Sequence, residues 1–112
     1  MGTSDRVRED GTLTVRIEHD GDAVVVRAFG ELDLTNAKTL EAELRRAIGG
    51  DASTVFLDLG GVGFIDTSAL RVLLLMAKQS LRNGDRLRLV RGSAPVERAI
   101  EWDGLERSLP LV

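Results

Sequence analysis

The chain has 112 residues, 43% of them apolar and 29% charged, which are the length and composition of one compact globular domain. It contains no cysteine and one histidine, so disulfides, thiolate metal sites and clusters of histidine ligands are excluded. The formal net charge of −3, with three phenylalanines and one tryptophan as the only aromatic residues, disfavours nucleic-acid binding.

The N-terminal residues 1–11 are polar and charged, and we expect them to form a flexible arm before a single domain over residues 12–112. This arm lacks the apolar core of a signal peptide. The longest apolar run, Val72–Ala77, is too short to span a bilayer. We therefore expect a cytoplasmic protein with no direct membrane insertion.

Two alternating segments follow the arm. Leu13, Val15 and Ile17 alternate with polar residues, as in a strand with one solvated face. An Asp-Gly turn then leads to a second apolar segment, residues 23–30, and this arrangement predicts a β-hairpin. His19 lies at the turn, where a surface position is favoured over a catalytic one.

Residues 35–50 have the periodicity of an amphipathic helix that ends at a glycine pair. Either Thr35 or Asn36 is expected to supply the N-cap. The predicted apolar face consists of Ala37, Leu40, Leu44 and Ile48.

The mostly apolar run at residues 54–61 predicts a central strand that is buried on both faces. Asp58 interrupts this run. We expect its carboxylate to bond local backbone groups rather than to act in catalysis. The glycines that follow, in GGVGF, lack the Lys and Ser/Thr of a P-loop and favour a tight turn.

A second helix is predicted from Asp66 to the Asn83-Gly84 pair, whose residues are typical of a helix C-terminus. It is apolar on two sides, and the second side is expected either to pack against other helices or to contact a partner. The stripe expected to face the sheet consists of Leu70, Leu73, Leu74, Ala77 and Leu81. The opposite face consists of Val72, Leu75 and Met76.

The remaining residues predict a strand over 85–92, a short helix over 94–105 with Pro95 in its first turn, and an edge strand over 107–112. Strands that alternate with crossover helices indicate a parallel sheet. The predicted fold is therefore a single α/β domain. Its sheet is mixed and mostly parallel, with an N-terminal antiparallel hairpin and with helices packed on it.

No pattern of catalytic residues is present. A hydrolase triad would need a nucleophilic serine beside the single histidine, and the sequence contains no Gly-x-Ser-x-Gly motif. The acidic residues Asp33, Asp58 and Asp66 are only a weak indication of paired-carboxylate catalysis. We expect a protein that is not an enzyme and that has no cofactor or metal site.

The start of the second helix has two interpretations. Asp66 is a preferred N-cap, and Thr67 and Ser68 are ordinary first-turn residues. A helix N-terminus also favours anions, so a hydroxyl there can accept a phosphoryl group without unfolding the helix. The pattern by itself leaves both interpretations open.

Four segments together resemble one known family. They are FGELDLTNAKTLEAEL, TVFLDLGGVGFIDTSALRVLL, GDRLRLVRGS and VERAIEWDGLERSLPL. They resemble the STAS family, in particular its stand-alone anti-sigma-factor antagonists, over Leu13 to Val112. The resemblance implies that the unphosphorylated protein binds an anti-sigma factor and releases a sigma factor. That anti-sigma factor is also a serine/threonine kinase that phosphorylates the antagonist, and a phosphatase resets it.

The resemblance also implies roles for individual residues. The family's phosphoacceptor directly follows the aspartate, which makes Thr67 the acceptor here and Ser68 the next hydroxyl position. Asp66 matches the acidic residue that shapes the site. Glu31 and Asp33 match an acidic loop near the helix start that contributes to kinase docking. With Val72, Leu75, Met76 and Ser68, these acidic residues form the predicted partner-binding surface.

This chain departs from the family pattern near the acceptor, since Thr67 replaces the common serine and Ala69 replaces a common glycine. We expect a monomer or weak dimer. The alternative is a STAS subunit of another assembly, such as a stressosome scaffold or a phospholipid-transport complex, in which the face of Val72, Leu75 and Met76 would make permanent contacts.

Overall fold

The computed structural model describes the backbone from Thr3 and the side chains from Arg6, both through Val112. The elements, in chain order, are β1 (Thr3–Asp10), β2 (Leu13–Asp20), β3 (Ala23–Leu32), α1 (Ala37–Ile48), β4 (Thr54–Ile65), α2 (Thr67–Arg82), β5 (Leu87–Val90) and α3 (Ala94–Trp102). Within this part of the chain, no helix combines the length and hydropathy that a bilayer crossing requires.

The five strands form one sheet in the order β1-β2-β3-β4-β5. The pairs β1–β2 and β2–β3 are antiparallel, and the pairs β3–β4 and β4–β5 are parallel. The predicted single α/β domain with a mixed sheet and an N-terminal hairpin is confirmed, but the sheet has as many antiparallel as parallel pairs and is not mostly parallel. Both crossovers run to the next strand in the same direction, so right-handed connections place α1 and α2 on the same face of the sheet.

Strand β1 corrects the prediction of a flexible arm over residues 1–11, of which residues 1 and 2 lie outside the described part. Arg6 and Arg8 lie opposite Ile17 and Val15, whose side chains are buried. Residues directly opposite in an antiparallel pair share a face of the sheet. Strand β1 therefore has charged side chains at its inward positions. Because these positions are not apolar, the alternation that predicts a strand is absent from its sequence.

The inward charges of β1 contact Glu43 of α1, whose side chain is 1% exposed. The Arg8 Nη1 atom donates a hydrogen bond to Glu43 Oε2 at 3.0 Å. The Arg6 Nε atom lies 3.2 Å from Glu43 Oε1, although the geometry of this ion pair is not that of a hydrogen bond. A second link joins the same elements, because Thr39 Oγ1 donates to Asp10 Oδ2 at 2.7 Å.

Burial alternates along the strands, and the prediction that the strand at residues 54–61 is buried on both faces is therefore wrong. Val55, Leu57 and Leu59 are buried, whereas Phe56 and Asp58 between them are only half-buried. The cause is the topology, since both crossover helices cover the same face. Amphipathic sheets with one covered face show this alternation.

The uncovered face carries a charge network across three strands. The Arg27 guanidinium donates to Glu18 Oε2 at 2.7 Å and to Asp58 Oδ2 at 2.6 Å. The hydrogen bond to Glu18, with further support from Asp58, raises the pKa of Arg27. Asp58 Oδ1 also accepts from the Gly60 amide at 2.8 Å, so the predicted bond of this carboxylate to local backbone is confirmed.

The glycines of GGVGF lie inside β4 rather than in a tight turn, which corrects that prediction. The register between β3 and β4 shifts at this point, so the strand is bulged. A Cβ on Gly61 would lie 2.4 Å from Phe29 Cδ1, and only glycine lets the ring cross the strand here.

The C-terminal part of the chain packs on the covered face. Helix α3 buries Val96 and Ile100, and Leu109 beyond it is also buried. The predicted edge strand over 107–112 is reduced to a single parallel bridge between Leu89 and Leu111.

Candidate functional site

The predicted site lies where β3 and β4 end side by side. Leu32 and Ile65 are paired at the last positions of these parallel strands, and Glu31 is paired with Phe64. The loop into α1 and the start of α2 consequently meet at one edge of the sheet. This carboxyl edge of parallel strands is a common place for binding sites in α/β proteins.

Asp66 joins these two segments, and the prediction that it caps α2 is confirmed. Its Oδ1 accepts from the Ala69 amide at 3.0 Å. Its Oδ2 accepts from the Leu34 amide at 3.0 Å, and its own amide donates to the Leu32 carbonyl at 3.1 Å. The carboxylate therefore fixes the start of α2 against the loop that follows β3.

Thr67 is the first residue of α2, and its side chain is exposed, whereas Ser68 is half-buried. Neither hydroxyl bonds to any side chain or backbone group in the described part of the chain. The cap is supplied by Asp66, so the start of the helix does not depend on the Thr67 hydroxyl. Thr67 is therefore more accessible to an enzyme that modifies hydroxyls than Ser68.

The two predicted loop acids differ in their surroundings. Asp33 is half-buried, and its Oδ1 accepts from the Thr35 amide at 2.9 Å and from the Thr35 hydroxyl at 2.6 Å. Glu31 is exposed, and its carboxylate makes no bond to a described residue. Asp33 thus shapes the loop, and Glu31 is the acid that faces solvent.

Asn36 occupies the N-cap position of α1, but its side chain makes no bond to the first turn of the helix. Instead its Oδ1 accepts from the Asp33 amide at 3.0 Å, and its Nδ2 donates to the Glu31 carbonyl at 3.0 Å. Asn36 is therefore the N-cap by position, as predicted, but the capping bond expected from its side chain or that of Thr35 is not made. Asn36 is buried, and it stabilises the loop between β3 and α1.

The predicted outer face of α2 is only partly outward. Leu75 is exposed and Val72 half-buried, but Met76 is completely buried, so its assignment to the partner surface is wrong. Leu81, expected in the core, is 67% exposed. The buried stripe is therefore rotated around the helix axis, and it includes Ser80, which accepts a hydrogen bond from the Leu87 amide at 2.9 Å.

A groove of about 420 Å³ lies between the start of α2 and helix α3. Thr67 lines it together with Arg98 and Trp102 of α3. Trp102 is 88% exposed. The sequence patterns predict no role for α3, although they contain one signal: the chain's only tryptophan lies among polar residues at the end of a short helix.

Two further exposed apolar side chains belong to the two segments that meet at the site. Leu34 donates its amide to Asp66, and Phe64 lies two residues before Asp66. We call Leu34, Phe64 and Trp102 the apolar rim. Exposed apolar side chains grouped beside polar ones are typical of protein-binding surfaces.

A larger cavity of about 580 Å³ lies at the opposite end of the strands, next to Ala23 and Ala52. None of the predicted site residues lines it. Among the side chains that the structure describes, no group of three or more His, Cys, Asp or Glu residues could hold a metal ion.

Comparison with known proteins gives consistent matches. The family model described as STAS domain matches residues 14–112. The anti-sigma-F factor antagonist RsfA of Mycobacterium tuberculosis is 30% identical over 101 residues, which cover 88% of this chain and 79% of RsfA.

Solved structures share the fold. The crystal structure of an anti-sigma factor antagonist from Mycobacterium paratuberculosis has a TM-score of 0.77 at 24% identity, over 88% of this chain and 84% of that one. The Bacillus cell fate determinant SpoIIAA in its phosphorylated form has a TM-score of 0.66 at 23% identity, over 88% of each chain.

Proposed function

The chain belongs to the STAS domain family, and on that premise we propose that it is an anti-sigma-factor antagonist that is switched off by phosphorylation of Thr67. In its unphosphorylated form it binds an anti-sigma factor that is also a serine/threonine kinase, and a sigma factor is released. A phosphatase that removes the phosphoryl group restores binding. The domain itself is not an enzyme and acts in the cytoplasm without a cofactor.

The observation that carries this proposal is the exposed hydroxyl of Thr67, which no described group bonds, at the start of a helix capped by its neighbour Asp66. The kinase transfers the γ-phosphoryl group of ATP to Thr67 Oγ1, the hydroxyl proton is lost, and ADP leaves. The product carries a charge of about −1.5 to −2 at a position that the helix dipole favours. The modification therefore alters the surface and leaves the fold intact.

The surface around Thr67 fits a protein partner. The apolar rim of Leu34, Phe64 and Trp102 offers exposed apolar area, and Glu31, paired with Phe64 in the sheet, adds a charge that no described residue pairs. Complementary charges orient partners, and buried aromatic side chains supply much of the affinity of an interface. A phosphoryl group in the middle of this surface would have to be desolvated, or would be repelled, when the partner docks.

Phosphorylation by the cognate kinase with ATP, followed by mass spectrometry, tests the assignment. We expect one phosphoryl group on Thr67 and none on the Thr67→Ala variant. The Ser68→Ala variant is the matched control and is expected to be modified like the wild type. Modification confined to Ser68, or the absence of any modification, would overturn the assignment.

The alternative, a STAS subunit of a permanent assembly, relied on the face of Val72, Leu75 and Met76. The burial of Met76 removes the central part of that face. We therefore expect a monomer or weak dimer by size-exclusion chromatography with light scattering. A large homo-assembly would favour the scaffold function instead.

A further inference from the structure

Two arginines near Thr67 have no partner among the residues whose side chains are described. Arg98 lines the groove between α2 and α3 together with Thr67, and Arg71 follows Thr67 by four residues on α2. Both side chains are exposed, and neither makes an ion pair or hydrogen bond with the residues whose side chains are described. Other arginines are engaged, since Arg27 and Arg45, for example, each form an ion pair.

Helical spacing puts Arg71 beside Thr67 on the surface of α2, and the shared groove puts Arg98 near it. Residues four apart on a helix are neighbours on its surface, and helical side chains lean towards the N-terminus. The Arg71 side chain therefore leans back towards Thr67 from one turn further along α2. Arg98 approaches from the other side, because α3 forms the opposite wall of the groove.

The acidic residues around the groove would repel a phosphoryl group, so nearby cations would stabilise the phosphorylated form. Asp66 and Asp103 both line the groove, and the Asp66 carboxylate is already bonded to two backbone amides. A phosphoryl group on Thr67 would add about −1.5 to −2 charges beside them. Arginine pairs with phosphate through parallel hydrogen bonds, and it keeps its charge at any physiological pH.

We propose that Arg71 and Arg98 bind the phosphoryl group carried by Thr67 and hold it in the groove between α2 and α3. The inference rests on the proposed function, since it concerns the phosphorylated form. It adds a second component to the switch: the phosphoryl group occupies the groove beside Trp102 and so blocks the surface that the partner would contact. Phosphorylation then acts by occlusion as well as by charge.

The test installs phosphothreonine at position 67 by genetic code expansion, so that it depends on no kinase. The second pKa of the phosphate is then measured by ³¹P NMR at low ionic strength in the wild type, in Arg71→Gln, in Arg98→Gln and in the double variant. Two nearby cations favour the dianion, so this pKa should be lower by about one unit in the wild type than in the double variant. Each single variant should lie between these values.

Arg82→Gln is the matched control, because Arg82 is an exposed arginine on the same helix about 22 Å beyond Thr67. It should leave the phosphate pKa unchanged. Equal pKa values in the wild type and the double variant, or no effect of Arg98→Gln, would overturn the inference. If no kinase modifies Thr67, the proposed function fails while the pKa comparison still decides the inference.

Discussion

Asp66 shows how one side chain serves both local structure and the site. One oxygen caps α2 through the Ala69 amide, and the other accepts the Leu34 amide from the loop after β3. The cap follows from the sequence, since Asp before a helical pattern is a strong N-terminal signal. The contact to Leu34 does not, because it depends on two parallel strands that end side by side.

Replacing Asp66 should separate these two roles. Asp66→Ala removes both hydrogen bonds and should lower the free energy of unfolding by about 1–2 kcal/mol. Asp66→Asn keeps a carbonyl oxygen for the Ala69 amide and should lose about half as much. Urea denaturation followed by circular dichroism measures both changes. An equal loss in the two variants would show that the cap contributes little.

Thr67→Glu should abolish binding of the anti-sigma factor and change the free energy of unfolding by less than about 1 kcal/mol. Thr67 is exposed at the first helical position, where a carboxylate is favoured by the helix dipole and touches no packed side chain. Calorimetric titration with the partner and thermal denaturation check the two parts. Thr67→Ser is the control and should bind like the wild type. Unchanged binding by Thr67→Glu would contradict a charge-operated switch.

Ala69, a departure from the family pattern, has a structural explanation. Its side chain is completely buried, and its amide donates to Asp66. The extra methyl group therefore packs inside the domain and does not stand between Thr67 and an approaching partner. In a helix, alanine is also favoured over glycine.

At the scale of elements, the sequence predicts those whose apolar pattern faces the core. The hairpin of β2 and β3, the helices and β5 all show it. Strand β1 does not, because Arg6 and Arg8 occupy its inward positions and reach Glu43. Inward charges are a known device of edge strands, which they protect from pairing with other chains.

The ion cluster of Arg6, Arg8 and Glu43 predicts how substitutions between β1 and α1 change the free energy of unfolding. Replacing Arg6 and Arg8 together with alanine leaves the carboxylate of Glu43 buried and unpaired, and should lower the free energy of unfolding by about 2–3 kcal/mol. Adding Glu43→Leu should restore most of this loss, because an apolar side chain needs no partner there. Chemical denaturation of the wild type, the double variant and the triple variant checks this. A triple variant no more stable than the double variant would show that Glu43 is not the cause.

The sequence predicts where helix α2 begins and ends, but not which of its faces is buried. The predicted buried stripe contains four leucines, including Leu74 and Leu81. The structure instead buries Met76 and Ser80. A hydroxyl that bonds the backbone of the next strand is a tertiary feature, and hydropathy does not reveal it.

Two alanine substitutions distinguish the two rotations of α2. Met76→Ala should cost about 2–4 kcal/mol of unfolding free energy, because it leaves a cavity in the core. Leu81→Ala should change the stability by less than about 0.5 kcal/mol, since Leu81 is mostly exposed. Thermal denaturation of both variants is sufficient. A larger loss for Leu81→Ala would favour the stripe predicted from hydropathy.

At the scale of the whole molecule, the order of elements predicts much of the fold. Short crossovers between β3, β4 and β5 imply neighbouring parallel strands, and these bring the acidic loop beside Asp66. The contribution of α3 is not predictable in this way. Arg98 and Trp102 follow Thr67 by 31 and 35 residues in the chain, and only the packing of Val96 and Ile100 on the sheet brings them to the same groove.

Substitution of Trp102 therefore tests most directly whether the partner binds the surface around Thr67. Trp102→Ala should weaken binding of the anti-sigma factor at least about tenfold, because exposed tryptophans that become buried are frequent hot spots. It should leave stability unchanged within about 0.5 kcal/mol, since the side chain is 88% exposed. Leu81→Ala, an exposed apolar residue far along α2, is the control and should bind normally. Since Trp102 is the only tryptophan, its fluorescence in the wild type should also change when the partner binds. Normal affinity of Trp102→Ala together with unchanged fluorescence would place the partner elsewhere on the domain.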